Sequence, residues 1–313
     1  MSMNLSAISY TPTIISSQLL QDLSVDESQQ ATLEQQLGSG NLVNQPSDNP
    51  AAASSIMQLN ASVARAKQYA SNAADGLGWL SLANSTVNSV MSNLQTARQL
   101  VLSLSGSALS GQQAAISGTA DQLSSIKQQI LSLANTQYGN QPIFSGTGNV
   151  NAAYNSDGTY AGGGSAPTRT VAPGVSIPVS VTGPDIFGSD PSGLLSPANN
   201  TTKPPTIGVL DQLIQDVQSG NIQTAQTTDL SALDGAIQTV TTAAATLGAS
   251  YQRMQGFATQ ATNSQTALQS QVSAEDSVNV AQATTQLTQD QQTFQTGLWA
   301  TAQIESHSLV QYL

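Results

Sequence analysis

Apolar residues recur every seven positions through a long stretch in each half of the chain. In the first half, one row runs from Leu59 to Val101, and a second row from Ile56 to Met91 is interrupted by Asn84. Two neighbouring rows of this kind are typical of a helix in a coiled-coil-like bundle. A return helix follows with the same spacing, on residues Ile116, Leu123 and Ile130. The short connection between the two helices predicts an antiparallel pair.

The second half repeats the pattern in two rows between Leu230 and Val272. The next row begins at Val280, eight residues after Val272 instead of seven, so the helical phase changes there. Ser273 and Asp276, just before this change, have the spacing of a capping box, in which the first side chain caps a new helix. We therefore expect a helix to begin near Ser273 and a joint to separate it from the preceding helix.

The two terminal segments carry thinner apolar faces than the bundle helices. Thr11 and Pro12 could mark a helix start in the first segment, since proline is accepted at the first helical position. A face this sparse does not bury enough apolar surface to hold a helix without a partner. We therefore expect the terminal faces to form an assembly interface, made by Leu19, Leu23, Leu33, Leu37, Val280, Leu287, Phe294 and Leu298.

Helix-breaking residues separate the N-terminal segment from the bundle. Gly38 and Gly40 follow the last apolar position, where a helix C-terminus favours a residue that tolerates positive φ. Further on, Asn49 and Pro50 have the pattern of an N-cap and a first helical residue. We expect an inter-domain joint that sets the angle between two helical blocks, formed by Gly38, Gly40, Pro46, Ser47, Asp48, Asn49 and Pro50.

The composition changes between about 139 and 205, where nine of the twelve prolines lie, so most of this stretch cannot be helical. Asp157 and Gly158 form a hairpin-turn signal between two tyrosines. Valine and isoleucine alternate with other residues along 175–181, and Pro178 restricts that strand to a sheet edge or a bulge. This pattern predicts a small β-rich domain inserted between two helical halves.

The predicted fold is mainly α. It is a long antiparallel, coiled-coil-like helical bundle formed by the N- and C-terminal halves, with a small β-rich domain inserted. Three domains are expected on this basis. Residues 1–44 with 274–313 form a terminal helical assembly domain, 45–140 with 206–273 form the helical bundle, and 141–205 form the insert.

Composition and charge exclude several kinds of function. The formal net charge is -11, and the seven Lys and Arg residues are scattered rather than clustered as nucleic-acid binding requires. The chain has no cysteine and a single histidine, His307, which we interpret as a partly exposed residue near a helix end. Without a phosphate-binding glycine loop or a nucleophile motif, we expect no catalytic site, cofactor or metal. Trp79 and Trp299 are interpreted as packing anchors.

Several stretches resemble the bacterial flagellin-like family. Residues 40–51, Gly-Asn-Leu-Val-Asn-Gln-Pro-Ser-Asp-Asn-Pro-Ala, are similar to its G-x-x-(I/V)-N-x-P-S-D-D-P-A motif, with Asn49 in place of the second aspartate. The L-A-N-T and F-S-G-T patterns within 133–147, the segment 247–254 and the ending 308–313 resemble further family motifs. The Pro-Ser-Asp-x-Pro form is closer to the hook-associated branch of the family than to flagellin itself.

This resemblance implies a structural protein at the junction between the hook and the filament of the bacterial flagellum, exported unfolded by the flagellar type III apparatus. It implies a ring of copies between hook-associated protein 1 and the first flagellin subunits, with an export chaperone as an earlier partner. The N-terminus fits such a route, because it lacks the basic region and apolar core of a secretory signal peptide. No apolar run is long enough to suggest a membrane span.

Two alternative interpretations of the protein's function stay open. One is flagellin itself, which has the same fold and polymerises without limit. The other is a type III secreted protein whose terminal coiled coils bind another component. The sequence offers no support for a third alternative, an enzyme.

Overall fold

The computed structural model describes residues 12–104, 113–188, 193–196 and 207–310. Long helices dominate it and the strands are short, which confirms the prediction of a mainly α fold with a small β-rich insert. The helices are α1 (Pro12–Ser39), α2 (Pro50–Ser103), α3 (Gln113–Ala134), α4 (Gly183–Phe187), α5 (Val209–Gln218), α6 (Ile222–Thr224), α7 (Leu230–Asp276) and α8 (Val280–Val310). A π-helical segment, Ala225–Asp229, joins α6 to α7. The strands are β1 (Gln137–Tyr138), β2 (Gln141–Pro142), β3 (Thr168–Ala172) and β4 (Val175–Pro178).

The predicted helix start at Pro50 is confirmed, since α2 begins at this residue. The helix start expected near Pro12 coincides with the first described residue, so it stays a prediction. Asn49 caps α2, because its Oδ1 accepts a hydrogen bond from the amide of Ala52 at 3.1 Å. Its carbonyl accepts a second bond from the amide of Ala53 at 2.8 Å. A helix N-terminus leaves its first amides without backbone partners, and the Asn49 side chain supplies a partner for one of these amides.

The end of α1 depends on Gly40 rather than Gly38. Gly40 has φ +76° and its amide donates to the carbonyl of Gln36 at 2.8 Å, which closes the last turn. This left-handed conformation strains any residue with a Cβ, and glycine therefore favours it. Gly38 lies inside α1 and contributes no turn of its own.

The break between α7 and α8 lies later than predicted. α7 continues through Ser273, whose hydroxyl donates to the carbonyl of Gln269 at 3.1 Å within the same helix. The cap of α8 is Asn279, whose Oδ1 accepts a hydrogen bond from the amide of Gln282 at 3.2 Å. The predicted helix start at Ser273 is therefore wrong, because the side chain that meets the free amides of α8 stands directly before Val280.

Two compact units make up the chain. We name Arg65–Ser264 the central unit, and Met1–Ala64 combined with Gln265–Leu313 the terminal unit. The finer division into three domains stays a prediction.

The seven-residue rows supply much of the helical part of the central unit's core. On α2 the row continues through fully buried residues, which are Ala73, Leu80, Val87, Leu94 and Val101. On α3 and α7 the buried row members are Leu123, Ile130, Leu233, Val240, Leu247 and Met254. Burying one such Leu, Ile or Val side chain contributes about 1.5–3 kcal/mol. These positions therefore contribute substantially to the stability of the bundle.

The second buried row of α2 differs from the predicted one. The predicted row through Leu77 and Met91 is only half-buried. The fully buried companions of the first row are instead Ala83, Val90 and Ala97, three residues after Leu80, Val87 and Leu94. Both rows flank the first one on a helix, and hydrophobicity alone favoured the larger side chains. The structure buries the row with the smaller side chains instead.

The β-rich stretch shares the buried cluster of the central unit. β3 pairs with β4 in antiparallel fashion, and Pro178, at the end of β4, faces Thr168 in a two-stranded sheet where each strand is an edge. The predicted turn at Asp157-Gly158 is confirmed, with Gly158 at φ +92°. A Cβ on Gly158 would collide with the carbonyl oxygen of Leu195, so this turn requires glycine.

Some sequence predictions fall outside the described residues. These are the short connection between the first helix pair, which contains Ser105-Gly106 and Ser110-Gly111, and the end of the proline-rich stretch at Pro204-Pro205.

Candidate assembly surface

Within the terminal unit, hydrogen bonds join the break after α1 to the break before α8. The amide of Leu42 donates to the carbonyl of Asp276, and the amide of Val43 donates to the Asp276 carboxylate at 3.3 Å. In return, the amide of Val278 donates to the carbonyl of Gly40 at 3.1 Å. A single antiparallel bridge lies between these bonds. The structure thus places the two joints side by side, and Asp276 holds both of them.

The rest of the N-terminal joint is a turn organised by Asp48. Its Oδ2 accepts hydrogen bonds from the amides of Gln45 at 2.8 Å and Asn44 at 3.1 Å. Its own amide donates to the carbonyl of Gln45 at 3.0 Å. Pro46 and Ser47 form the exposed tip of this turn. A carboxylate that accepts amides this way fixes a turn more firmly than a solvated linker does.

α1 and α8 pack against each other, and they run in opposite directions because the end of α1 meets the start of α8. Leu23 is the buried centre of this pair, with 7% of its surface exposed. It lies against Gly297, where an added Cβ would be 2.9 Å from Leu23 Cδ2. The absence of a side chain at Gly297 therefore makes room for Leu23.

The remaining predicted interface residues divide into two groups. Half-buried members lie on both helices, namely Leu19, Leu33, Leu37, Leu287 and Phe294. The exposed members are Val280, at 57%, and Leu298, at 47%. The structure therefore brings Leu23 into the α1–α8 pair and leaves Val280 and Leu298 open to solvent. Whether any of them meets another subunit stays a prediction.

Other large apolar side chains on this pair are also exposed. They are Leu20 at 55%, Val25 at 49% and Trp299 at 81%. The expectation that Trp299 is a packing anchor within the chain is therefore wrong. Single exposed apolar residues are ordinary on a protein surface, but tryptophan is enriched at protein interfaces. We name Leu20, Val25, Val280, Leu298 and Trp299 the exposed apolar set.

A groove of about 320 Å³ opens where the two joints meet. Apolar side chains of Leu33, Leu42, Val278 and Ala283 line it, together with the amide side chains of several glutamines. It adds a concave feature to the same unit that carries the exposed apolar set.

Trp79 of the central unit is the packing anchor that the sequence predicts. It is 3% exposed, its ring lies 5.3 Å from that of Tyr138, and the Arg169 guanidinium lies 5.4 Å above it. Arg169 also forms an ion pair with Asp75 at 2.7 Å, so β3 is bound to α2. Because these charged groups are partly exposed, the ion pair contributes at most about 1 kcal/mol. The cluster fixes the β-rich stretch on the helices and leaves no open cage for a ligand.

Metal and membrane sites do not appear in the part of the chain that the structure describes. Within residues 12–104, 113–188, 193–196 and 207–310, no group of three or more His, Cys, Asp or Glu could hold a metal ion. None of the helices described there is long and apolar enough to cross a membrane. His307 lies in α8, near its C-terminal end.

Two family models match the chain. The bacterial flagellin N-terminal helical region matches residues 12–149, and the bacterial flagellin C-terminal helical region matches residues 230–313. Together they cover well over half of the chain. The chain belongs to the bacterial flagellin family.

Curated relatives point to one branch of the flagellin family. Flagellar hook-associated protein 3 of Salmonella typhimurium is 31% identical over 159 residues, which is 50% of this chain and 50% of that protein. Flagellar hook-associated protein 3 of Escherichia coli is 29% identical over 183 residues, 58% of this chain and 57% of that protein. The matches thus span about half the length of each relative.

Solved structures show the same flagellin-like fold. A structure assigned to a flagellar hook-associated protein from Vibrio parahaemolyticus superposes with a TM-score of 0.63, 23% identity and coverage of 74% of this chain and 100% of that one. Bacillus cereus FlgL gives a TM-score of 0.54, 21% identity and coverage of 69% and 99%. At these identities the likeness concerns the fold.

The two flagellin-family regions contain the two joints and both helices of the α1–α8 pair. The stretch 150–229, with β3, β4, α5 and the π-helical segment, lies outside them. Sequence reasoning did not identify Asp276 as the residue that holds the joints, because its nearest helical signal was a capping box. It also missed that Asp216 and Asp229 in this stretch are buried, since single aspartates on a helix are ordinarily solvated.

Proposed function

We propose that this flagellin-family chain is a subunit of the junction between the hook and the filament. In this proposal the flagellar type III apparatus exports it, and it assembles outside the cell through its terminal helices. The similarity to hook-associated protein 3 in two bacteria supports the place in the flagellum. The observation that carries the mode of assembly is the exposed apolar set on α1 and α8.

Trp299 is the residue of this set that would contribute most to the binding free energy of assembly. A tryptophan side chain buries about 150–250 Å² when it is covered, and each Å² of apolar surface contributes about 25 cal/mol. With 81% of its surface exposed, Trp299 leaves about 3–5 kcal/mol of burial unused in the isolated chain. That is enough to make it an anchor residue of a protein interface.

The partners follow from this position. Copies of the chain would form a ring, hook-associated protein 1 would lie on the hook side, and flagellin would lie on the filament side. An export chaperone would cover the terminal helices before secretion, since their apolar residues are exposed without partners. Residues 1–44 with 274–313 act as the assembly domain, and the joint at Gly38–Pro50 sets its angle to the rest of the chain.

The nearest alternative is flagellin itself, because the matching family models describe flagellin regions. Flagellin polymerises into long filaments, whereas a junction subunit stops at a ring. Electron microscopy of the purified chain distinguishes them, and long filaments would favour flagellin. A type III secreted binding protein is less favoured, because the curated matches name flagellar proteins.

The test combines gene deletion in the source bacterium with variant complementation. We expect the deletion to leave hooks without filaments and flagellin free in the medium. The parent chain restores filaments. Trp299→Ala restores secretion but few filaments, while the thermal unfolding of the monomer is unchanged because Trp299 is exposed there. Full filament attachment with Trp299→Ala would contradict the proposed interface, and normal filaments in the deletion strain would contradict the junction role.

A further inference from the structure

Two buried aspartates meet in the central unit, outside the proposed assembly surface. Asp216 lies near the end of α5 and is 8% exposed, and Asp229 is the last residue of the π-helical segment and is 3% exposed. α5 packs against the π-helical segment, and the two carboxyl groups lie within hydrogen-bonding reach of each other. A bond between two carboxyl groups requires a proton on one of them, because two carboxylates offer acceptors alone.

The donors around the pair assign the proton to Asp229. Asp216 accepts hydrogen bonds from the side-chain amides of Gln212 at 2.8 Å and Asn221 at 3.1 Å, which suits a carboxylate. Asp229 Oδ2 is buried and receives no hydrogen bond from any described group. A carboxylate with a bare buried oxygen is costly, whereas a protonated carboxyl group can donate to Asp216.

The pKa values agree with this geometry. Burial would raise the pKa of Asp216, but the hydrogen bonds from Gln212, Asn221 and Asp229 lower it below its ordinary value. Burial, the negative charge of Asp216 and the bond between them raise the pKa of Asp229 to about 6. One carboxyl group therefore stays charged while its neighbour keeps a proton into the mildly acidic range.

Charged groups on the surrounding elements do not neutralise Asp229. Of these, Lys127 on α3 pairs with Asp211 on α5 at 2.6 Å, and Arg98 on α2 pairs with Asp234 on α7 at 2.7 Å. Asp121 is the other charged residue of α3, and it is exposed. Lys203 lies outside the described residues.

We propose that the Asp216–Asp229 pair is a proton-dependent contact that holds the end of α5 to the π-helical segment and loosens when its shared proton is lost. Asp216 is well placed for this, because its carbonyl also accepts the amide of Asn221 at 2.8 Å in the turn after α5. When Asp229 ionises, two like charges face each other in a buried site. The repulsion separates α5 from the start of α7, and the turn between them gains mobility.

The sign of the pH dependence follows from proton binding. The pKa of Asp229 is about 6 in the folded chain and 3.8 in its ordinary state, so between these values the folded chain holds one more proton than the unfolded chain. Stability from this group is present below pH 3.8 and is lost as pH rises to about 6. Asp216 acts in the opposite direction, and its stabilisation is lost as pH falls below its ordinary pKa. The pair therefore stabilises the folded chain best near pH 4–5.

The experiment compares the full-length parent with Asp229→Asn, whose side-chain amide donates to Asp216 at every pH. Urea unfolding is measured from pH 4.5 to 7.5, together with hydrogen exchange of peptides from 209–234 corrected for intrinsic rates. For the parent, we expect the folded-to-unfolded ratio to fall by roughly 10- to 100-fold over this range. Asp229→Asn should remove this fall. The matched control Asp234→Asn, in an exposed ion pair, should keep it.

Two results overturn the proposal. One is a pH-dependent fall of the same size in Asp229→Asn and in the parent. The other comes from the parent alone, where a carbon-13 titration of the Asp229 carboxyl group should show a midpoint near 6. A midpoint at or below 4 contradicts the shared proton even if Asp229→Asn does not fold. Stabilisation of the parent by Mg²⁺ at pH 7.5 that is absent in Asp229→Asn would identify a cation site instead.

Discussion

The contact between Leu23 and Gly297 allows the packing of α1 on α8 to be measured directly. Glycine inside a helix is about 1 kcal/mol less favourable than alanine, so Gly297→Ala should stabilise α8 if nothing else changes. The new Cβ would, however, lie 2.9 Å from Leu23 Cδ2 and 3.6 Å from Leu23 Cγ. The atom nearest to it is the end of a flexible side chain, so the displacement should cost about 1 kcal/mol, at the low end for an overpacked site.

These two effects oppose each other, and a double-mutant cycle separates them. Gly297→Ala alone should be nearly neutral. In a Leu23→Ala background the obstacle is absent, so Gly297→Ala should gain about 1 kcal/mol. The coupling energy between the two positions is then about 1 kcal/mol, well above the ~0.5 kcal/mol scatter of independent sites. Gly38→Ala in α1 is the control, because nothing lies within 4 Å of a Cβ there.

The assay is hydrogen exchange of the α1 and α8 amides in the full-length monomer, which reports opening of the terminal unit separately from the central unit. The expected result is near-normal protection for Gly297→Ala and increased protection when Leu23→Ala is combined with it, relative to Leu23→Ala alone. Gly38→Ala should show no coupling with Leu23→Ala. Additivity of Leu23→Ala and Gly297→Ala within about 0.3 kcal/mol would refute the packing described for this pair.

Three further perturbations address the joints and the terminal helices. Asp276→Ala should speed exchange of the Val43 amide, which loses its carboxylate acceptor, while the Leu42 amide keeps its carbonyl partner; equal changes at both amides would contradict this. The double variant Pro46→Ala, Pro50→Ala should leave the thermal unfolding of the central unit unchanged but release flagellin into the medium, because a looser joint increases the entropy lost on docking. Filaments attached as firmly as in the parent would show that the joint is only a spacer. Phe294→Asp should abolish incorporation into flagella, since an unpaired charge in an interface costs several kcal/mol. Normal incorporation would show that the Phe294 face of α8 is not an assembly interface.

The helices could be predicted from sequence because their signals are local. Asn49 and Pro50 lie next to each other and act on the same helix start, and the seven-residue row through Leu80 and Val87 reflects one face of one helix. The Asp157-Gly158 turn is equally local. In each case the residues that carry the signal also make the structure, so no knowledge of the rest of the fold is needed.

The errors arose where distant residues decide the outcome. Asp276 has the sequence context of a helix cap, but in the structure its acceptors meet the amides of Leu42 and Val43, more than 230 residues away. Trp299 was interpreted as a packing anchor, yet 81% of its surface is exposed in the described structure. Hydrophobic periodicity shows that a face needs covering and does not show whether the cover comes from the same chain.

The buried carboxyl pair lies furthest from sequence prediction. Asp216 and Asp229 are thirteen residues apart, a spacing that places nothing together on a regular helix. A turn and a π-helical segment bring them into contact, and neither carries a distinctive composition. The pair became visible only when burial and hydrogen-bond partners were known for each oxygen.

The most direct test of the junction role is the position of the chain on intact flagella. The chain has no cysteine, so Ser156→Cys, at an exposed turn of the central unit, provides a single site for a fluorescent maleimide. Cells that carry this variant as their only copy are labelled and imaged. A junction subunit predicts one fluorescent spot at the base of each filament. Label along the whole filament would instead identify a filament subunit and contradict the junction role.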